Sequence, residues 1–124
     1  MTRAVIPSGS ALGADIKGID FSKPLSDDDR AFVKQAWNDH LVVRFRDQDL
    51  SDEDLVRLAD DFGGSQVAGS RQYYINAGYD TKSGRVSHLP GITIISNLDK
   101  DGNPEKENSG TGSSELYWHT DNSY

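Results

Sequence analysis

Residues 115–124 read ELYWHTDNSY, a stretch with the alternation of side chains that is typical of a β-strand. In an extended strand the side chains of His119 and Asp121 point to the same face, with their Cα atoms roughly 6.5 to 7 Å apart. An imidazole and a carboxylate, completed by a second histidine from a distant part of the fold, form the facial triad that holds iron(II) and leaves coordination positions open. The stretch therefore predicts a metal site at His119 and Asp121.

Two other interpretations of this triplet stay open. A His-x-Asp triplet also arises by chance, as two polar residues on the outer face of a strand. A zinc-dependent hydrolase could use His119, Asp121 and a carboxylate such as Glu115, although zinc sites usually have more His or Cys ligands than this chain offers.

The N-terminal half predicts, in order, a strand or strand pair, a helix, a strand and a second helix. Residues 11–22 alternate around two glycines, which indicates one or two short strands. Ser26 and Asp29 have the spacing of a capping box and predict a helix of about three turns. Its apolar stripe would be Phe32, Val33, Ala36 and Trp37. Residues 41–45, LVVRF, then predict a strand with Leu41, Val43 and Phe45 on one face.

The second helix has the clearest boundaries in the sequence. Ser51 and Asp54 repeat the capping signal, apolar residues follow at helical spacing, and Gly63-Gly64 supplies a left-handed stop. From residue 65 to residue 91 the pattern dissolves, which predicts an irregular loop or lid. Residues 92–96, ITIIS, predict a further strand before a turn-rich segment. We expect residues 1–124 to be the N-terminal portion of a single domain, with the loop or lid at residues 65–91 and a metal-binding strand at residues 115–124.

Composition limits the classes of protein and of site. The 124 residues carry a formal net charge of -7 and no dense basic cluster, so we expect no nucleic-acid partner. There is no signal-peptide h-region and no apolar run of membrane-spanning length, and we therefore expect a cytoplasmic protein without a membrane partner. The absence of cysteine excludes disulfides and thiolate metal sites. Any metal must be bound by His, Asp or Glu.

Residues 118–124, WHTDNSY, resemble the iron-binding motif of the taurine dioxygenase and 2,4-dichlorophenoxyacetate dioxygenase (TauD/TfdA) family. Segments further upstream resemble that family's N-terminal part in the same order: residues 12–16, 18–20, 24–26, 41–48 and 62–63. The resemblance implies a mixed α/β, mainly β fold, a double-stranded β-helix (a cupin-like jelly roll) with flanking N-terminal helices. We expect this fold to be present only in part, because eight strands cannot be formed from the three to five predicted here.

The resemblance also implies a reaction and its ligands. His119 and Asp121 match the family's first and second iron ligands, with Fe(2+) as the metal and 2-oxoglutarate and O2 as co-substrates. The third ligand, a histidine, and the arginine that pairs with 2-oxoglutarate are expected beyond Tyr124. His40 and His88 lack the family's motif around them.

Five further residues are candidates for contacts with a small-molecule substrate. Arg71, Tyr73 and Tyr74 fall where relatives contact substrate, and an arginine beside aromatic rings could clamp an anionic group. Their alternative role is a solvated, mobile loop. Asn97 could face the site or serve a turn, and Glu115 could contact substrate or lie on an exposed rim.

The resulting prediction is an oxygenase that couples decarboxylation of 2-oxoglutarate to succinate with oxidation, by hydroxylation, of a C–H bond in a small organic substrate. The alternative is a non-catalytic binding module on the same fold, or a fragment that is inactive without its C-terminal half. An acidic surface is compatible with a homo-oligomer.

Overall fold

The computed structural model of the protein describes residues 2–67, 69–96, 98–99, 101–104 and 118. The chain divides into two compact units, residues 1–65 and residues 66–124. The first unit contains β1 (Ala4–Pro7), β2 (Ala14–Lys17), α1 (Asp27–His40), β3 (Val43–Phe45) and α2 (Asp52–Asp61). The second contains α3 (Arg71–Asn76). The predicted metal-binding strand lies outside the described residues except for Trp118.

The first unit is built on a three-stranded sheet in the order β1-β2-β3. β1 pairs antiparallel with β2, with Val5 opposite Ile16, and β2 pairs parallel with β3, with Asp15 opposite Arg44. The prediction of a strand or strand pair at the start of the fold is thus confirmed. Gly18, at the end of β2, has a φ of +77°, and a Cβ there would lie 2.6 Å from the carbonyl oxygen of Thr2. Glycine is required at this close approach of two backbone segments.

α1 connects the two parallel strands and supplies one side of the core. Parallel neighbours need a crossover, and the helix buries Val33 and Ala36 against Ile16, Ile19 and Phe21. The predicted cap is confirmed, because the Ser26 hydroxyl accepts a hydrogen bond from the Asp29 amide at 3.1 Å.

Two residues near the C-terminus of α1 differ from their predictions. Trp37, predicted in the apolar stripe, is 48% exposed, and its indole Nε1 donates to the carbonyl oxygen of Leu41 at 3.1 Å. Leu41, predicted to share one face of a strand with Val43 and Phe45, ends the helix with a φ of +65° and is exposed. Helical spacing predicts which face a side chain lies on, but the packing of other segments decides whether that face is covered.

α2 follows the predicted boundaries closely. Ser51 and Asp54 form a complete capping box, with the Asp54 amide donating to the Ser51 hydroxyl at 3.2 Å and the Ser51 amide donating to the Asp54 carboxylate at 3.0 Å. At the other end the amide of Gly64 donates to the carbonyl oxygen of Ala59 at 2.8 Å. This bond spans five residues and is typical of a glycine-terminated helix.

Polar side chains join the segments around the core of the first unit. The Gln48 amide oxygen accepts from the Phe21 backbone N–H at 3.0 Å, and its nitrogen donates to the carbonyl oxygen of Ile19 at 3.1 Å. Arg30 of α1 donates to the Asp61 carboxylate of α2 at 3.1 Å. The two Gln48 bonds satisfy backbone groups that are partly removed from water, and the Arg30 bond joins the two helices.

The second unit departs from the sequence prediction in two places. Residues 71–76, inside the predicted irregular loop, form the helix α3. Residues 92–96, predicted as a strand, form only an isolated antiparallel bridge between Thr93 and Val86. A strand requires a ladder of backbone bonds, and the described residues supply only that one partner.

The described fold is therefore mixed α/β with a small three-stranded sheet, and its helices contain more residues than its strands. The predicted predominance of β-structure is not met in this part of the chain, because its strands form one small sheet and not the two sheets of a jelly roll. In the described ranges, no helix is long and apolar enough to cross a membrane.

Replacing Ser51 with Ala is expected to lower the free energy of unfolding by about 1 kcal/mol, because it removes the acceptor for an N-terminal amide of α2. Denaturant unfolding followed by circular dichroism measures this change. Ser10→Ala, at an exposed position outside both helices, is the matched control and should leave the midpoint unaltered. Equal effects of the two variants would contradict the capping role.

The acid sensitivity of the same cap follows from the pKa of Asp54. Hydrogen bonds from the Ser51 backbone, the Ser51 hydroxyl and Arg57 lower the pKa of this carboxyl below its ordinary value of 3.8. Its stabilising contribution is complete above that ordinary value and is lost as the pH falls through the lower folded-state pKa. The difference in thermal midpoint between the wild type and Asp54→Asn should therefore shrink as the pH is lowered from about 5 to about 2.

Candidate functional site

The structure describes only some of the residues that the sequence predicts for the site. Arg71, Tyr73 and Tyr74 are described, whereas the remaining candidates lie outside the described residues: Asn97, Glu115, His119 and Asp121. The metal site at His119 and Asp121 therefore stays a prediction, as do the contacts proposed for Asn97 and Glu115.

The described residues do not offer another metal site. Across the described ranges, no three His, Asp or Glu side chains lie close enough to hold one ion together. His40 is the last residue of α1, and its carbonyl oxygen accepts from the Gly13 amide at 2.8 Å. His88 is exposed after a buried segment. Neither histidine belongs to a ligand cluster within this part of the chain.

α3 carries the three described candidates. The helix places Arg71 in its first turn, where Nη1 donates to the carbonyl oxygen of Ser87 at 2.5 Å. This bond fixes the helix to a segment sixteen residues further along the chain. Arginine has five N–H donors in a rigid fork, so one bond to a carbonyl leaves others with which to bind a carboxylate or a sulfonate. Arg71 is half-buried, and its hydrogen bond to Ser87 restrains the guanidinium.

The two tyrosines of α3 have different environments. Tyr73 is 71% exposed, while Tyr74 is half-buried and contacts the ring of Tyr79 edge-on, with centroids 5.5 Å apart. The rings of Tyr73 and Tyr74 are also edge-on at 5.5 Å. The exposed ring of Tyr73 offers an apolar surface to a ligand, and the half-buried ring of Tyr74 is held by its neighbours.

Arg85 and Tyr79 both contact the ring of Tyr74, but the sequence prediction did not include them. The guanidinium of Arg85 lies 5.4 Å from the ring centroid of Tyr74 and 5.2 Å from that of Tyr79. Arg85 is only 5% exposed. The surrounding sequence, with its Ser and Gly residues, has the composition of a solvated loop, and no local spacing relates Arg85 to a ring eleven residues away.

Trp118, the described residue beside the predicted ligand His119, is fully exposed. No described residue covers its indole ring.

The comparisons with known proteins identify the class. The model of the taurine catabolism dioxygenase TauD, TfdA family matches residues 4–124, and the chain belongs to this family. The match includes the triplet His119-Thr120-Asp121 and extends over both compact units.

Particular relatives and solved structures agree with this assignment. Pentalenolactone F synthase of Streptomyces avermitilis is 33% identical over 118 residues, which are 94% of this chain and 34% of that protein. The crystal structure of AAD-2 in complex with Mn(II) and N-oxalylglycine is 27% identical with a TM-score of 0.61, and covers 90% of this chain and 32% of that chain. A taurine dioxygenase structure from Burkholderia xenovorans, 24% identical over 73% of this chain and 28% of that chain with a TM-score of 0.56, shares the fold. The chain spans about a third of the length of the relatives it matches.

Replacing Arg71 with Met should loosen α3, because the bond to Ser87 is made by a charged donor and contributes about 1.5 to 3 kcal/mol. Chymotrypsin cleavage after Tyr73 and Tyr74, measured by mass spectrometry, should become on the order of tenfold faster. Lys82→Met removes an equal charge from an exposed position and should leave the cleavage rate unchanged. Equal rates in the wild type and Arg71→Met would refute the anchoring role of this bond.

Proposed function

We propose that the chain is part of an Fe(II)- and 2-oxoglutarate-dependent oxygenase that oxidises a C–H bond of a small organic substrate by hydroxylation. The observation that carries the proposal is the family match, which extends through His119 and Asp121. This is the only His-x-Asp triplet in the sequence. The net reaction consumes 2-oxoglutarate, O2 and the substrate and yields succinate, carbon dioxide and the alcohol. One atom of the O2 molecule enters succinate and the other enters the alcohol.

The chemistry of the donor set fits iron(II). One imidazole nitrogen and one carboxylate oxygen are two of the three ligands of a facial triad. Zinc sites usually have more His or Cys ligands than this chain offers. His119 and Asp121 would hold the metal, and the third ligand would come from a part of the protein beyond Tyr124. When bound, iron(II) with 2-oxoglutarate supplies the activation of dioxygen. The solved AAD-2 structure is a complex with Mn(II) and N-oxalylglycine, which supports a requirement for a metal and for a 2-oxoglutarate-like acid.

The residues of α3 would bind and orient the substrate. A guanidinium that one bond already holds in place loses little freedom when it binds an anion, so Arg71 would pair with a carboxylate or a sulfonate of the substrate. The exposed ring of Tyr73 would cover an apolar part of the substrate and exclude water from it. Asn97 and Glu115 would add polar contacts from the segments before the metal motif.

The remaining parts of the proposal concern the complete protein. We propose that its jelly roll is completed by sequence beyond Tyr124, and that it acts in the cytoplasm on a small molecule, without a nucleic-acid or membrane partner. A net charge of -7 supports the exclusion of nucleic acid. The same acidic surface is compatible with a homo-oligomer.

The proposal is tested by measuring succinate formed from 2-oxoglutarate under oxygen, with iron(II) supplied, by the protein that the complete gene encodes. His119→Ala and Asp121→Ala should each lower the rate by more than about 100-fold, because each removes a metal ligand. His88→Ala, which removes a histidine outside the motif, is the matched control and should retain the rate.

Three outcomes would contradict the oxygenase. Succinate formation that persists in both ligand variants would exclude the site at His119 and Asp121. Binding of iron(II) without any succinate formation in the wild type would favour the non-catalytic module. Substrate turnover that continues under strict anaerobiosis with zinc would favour the hydrolase.

A further inference from the structure

Residues 85–87 form a buried junction in the second unit. Arg85, Val86 and Ser87 are 5%, 5% and 4% exposed. Each contacts a different part of the chain. Arg85 donates to the carbonyl oxygen of Leu98, Val86 forms the bridge with Thr93, and Ser87 accepts the hydrogen bond from Arg71.

Arg85 has the most demanding position of the three, because burial of a guanidinium is unfavourable unless aromatic and hydrogen-bonding partners compensate for the lost water. Two such partners are the rings of Tyr74 and Tyr79, whose centroids lie 5.4 and 5.2 Å from the guanidinium carbon. The two rings meet edge-on at an interplanar angle of 83°. The guanidinium therefore lies over two rings whose planes are nearly perpendicular to each other.

Arg85 also reaches the segment before the metal motif. Its Nε donates to the carbonyl oxygen of Leu98 at 2.5 Å. Leu98 directly follows Asn97 in the sequence and begins a turn in which the Asp99 amide donates to the Asn103 carbonyl oxygen at 2.8 Å. A single side chain thus contacts both α3 and the backbone next to Asn97.

We infer that Arg85 is a positioning residue that fixes Tyr74 of α3 relative to the backbone of Leu98, and so holds the proposed substrate contacts of α3 in one arrangement with the turn that begins at Leu98. The importance of this arrangement for substrate rests on the function proposed above. The mechanical coupling itself does not, because it follows from the contacts of Arg85.

The chemistry of arginine explains why an apolar side chain could not replace Arg85 at this position. An apolar side chain of similar volume would occupy the same space without the unfavourable desolvation of a charge. Only a planar cation can lie against two rings and donate an in-plane N–H to a carbonyl at the same time. Lysine keeps the charge for the rings but has no N–H at the position of Nε.

The coupling is tested by amide hydrogen exchange at single-residue resolution on the complete protein. Two pairs of hydrogen-bonded amides report on the two ends: Tyr74 in α3 with Ala77 directly after it, and Asp99 with Gly102 in the turn after Asn97. Arg85→Met should speed exchange at both pairs on the order of tenfold, because it removes a buried cation–π contact and a charged hydrogen bond. Arg85→Lys should recover the protection of Tyr74 and Ala77 but not that of Asp99 and Gly102.

A second pair of variants tests transmission through the ring. Tyr74→Leu, which leaves Arg85 in place, should speed exchange at Asp99 and Gly102. Tyr73→Leu removes the neighbouring exposed ring and is the matched control, with no change expected at those two amides. Amides in α1 should keep their wild-type rates in every variant, which separates local coupling from general destabilisation.

The inference is overturned if Arg85→Met exchanges like the wild type at either pair, if Arg85→Lys behaves like Arg85→Met at both, or if the Tyr73 and Tyr74 variants are equivalent. Faster exchange throughout the chain would also overturn it, because the residue would then support the whole fold. Since exchange needs no turnover, a lack of succinate formation by the wild type would refute the proposed function and leave the result on Arg85 standing.

Discussion

The parallel pairing of β2 with β3 is the constraint on which the first unit depends. Parallel neighbours cannot be joined by a tight turn, so the chain must leave the sheet after β2 and return through α1. That path places Val33 and Ala36 over the sheet and closes the core around Ile16. The Gln48 amide, bonded to the backbone of Ile19 and of Phe21, then joins the segment after β3 to the segment after β2.

The second unit is held together by different means. In its described part, single bridges replace a sheet, and arginine side chains connect segments through backbone carbonyl oxygens. Contacts of this kind are directional, so they define the relative positions of segments more narrowly than apolar burial alone. The substrate contacts proposed for this unit would benefit from that precision, because contacts misplaced by an ångström lose much of their effect on a reaction.

Membership of the TauD, TfdA family supports the proposed metal site, whereas the contacts of the second unit concern the proposed binding of substrate. The metal ligands that we propose, His119 and Asp121, lie in one short motif inside the family match and are separated by one residue. Contacts to substrate would come from α3 and from the segments before the motif, which are distant from it in sequence. Such a division would let one metal chemistry be combined with loops that select different substrates.

The sequence by itself determined the features that depend on neighbours within a few residues. The caps at Ser26 and Ser51 and the glycine stop after α2 could be predicted because their hydrogen bonds are local. The His-x-Asp motif could be singled out because its two residues are separated by only one position in the sequence. Tertiary structure decided the exposure of Trp37, the single bridge at Thr93 and the burial of Arg85 between two tyrosines. Each of these depends on whether a segment distant in sequence covers or pairs with the residue, and no local pattern carries that information.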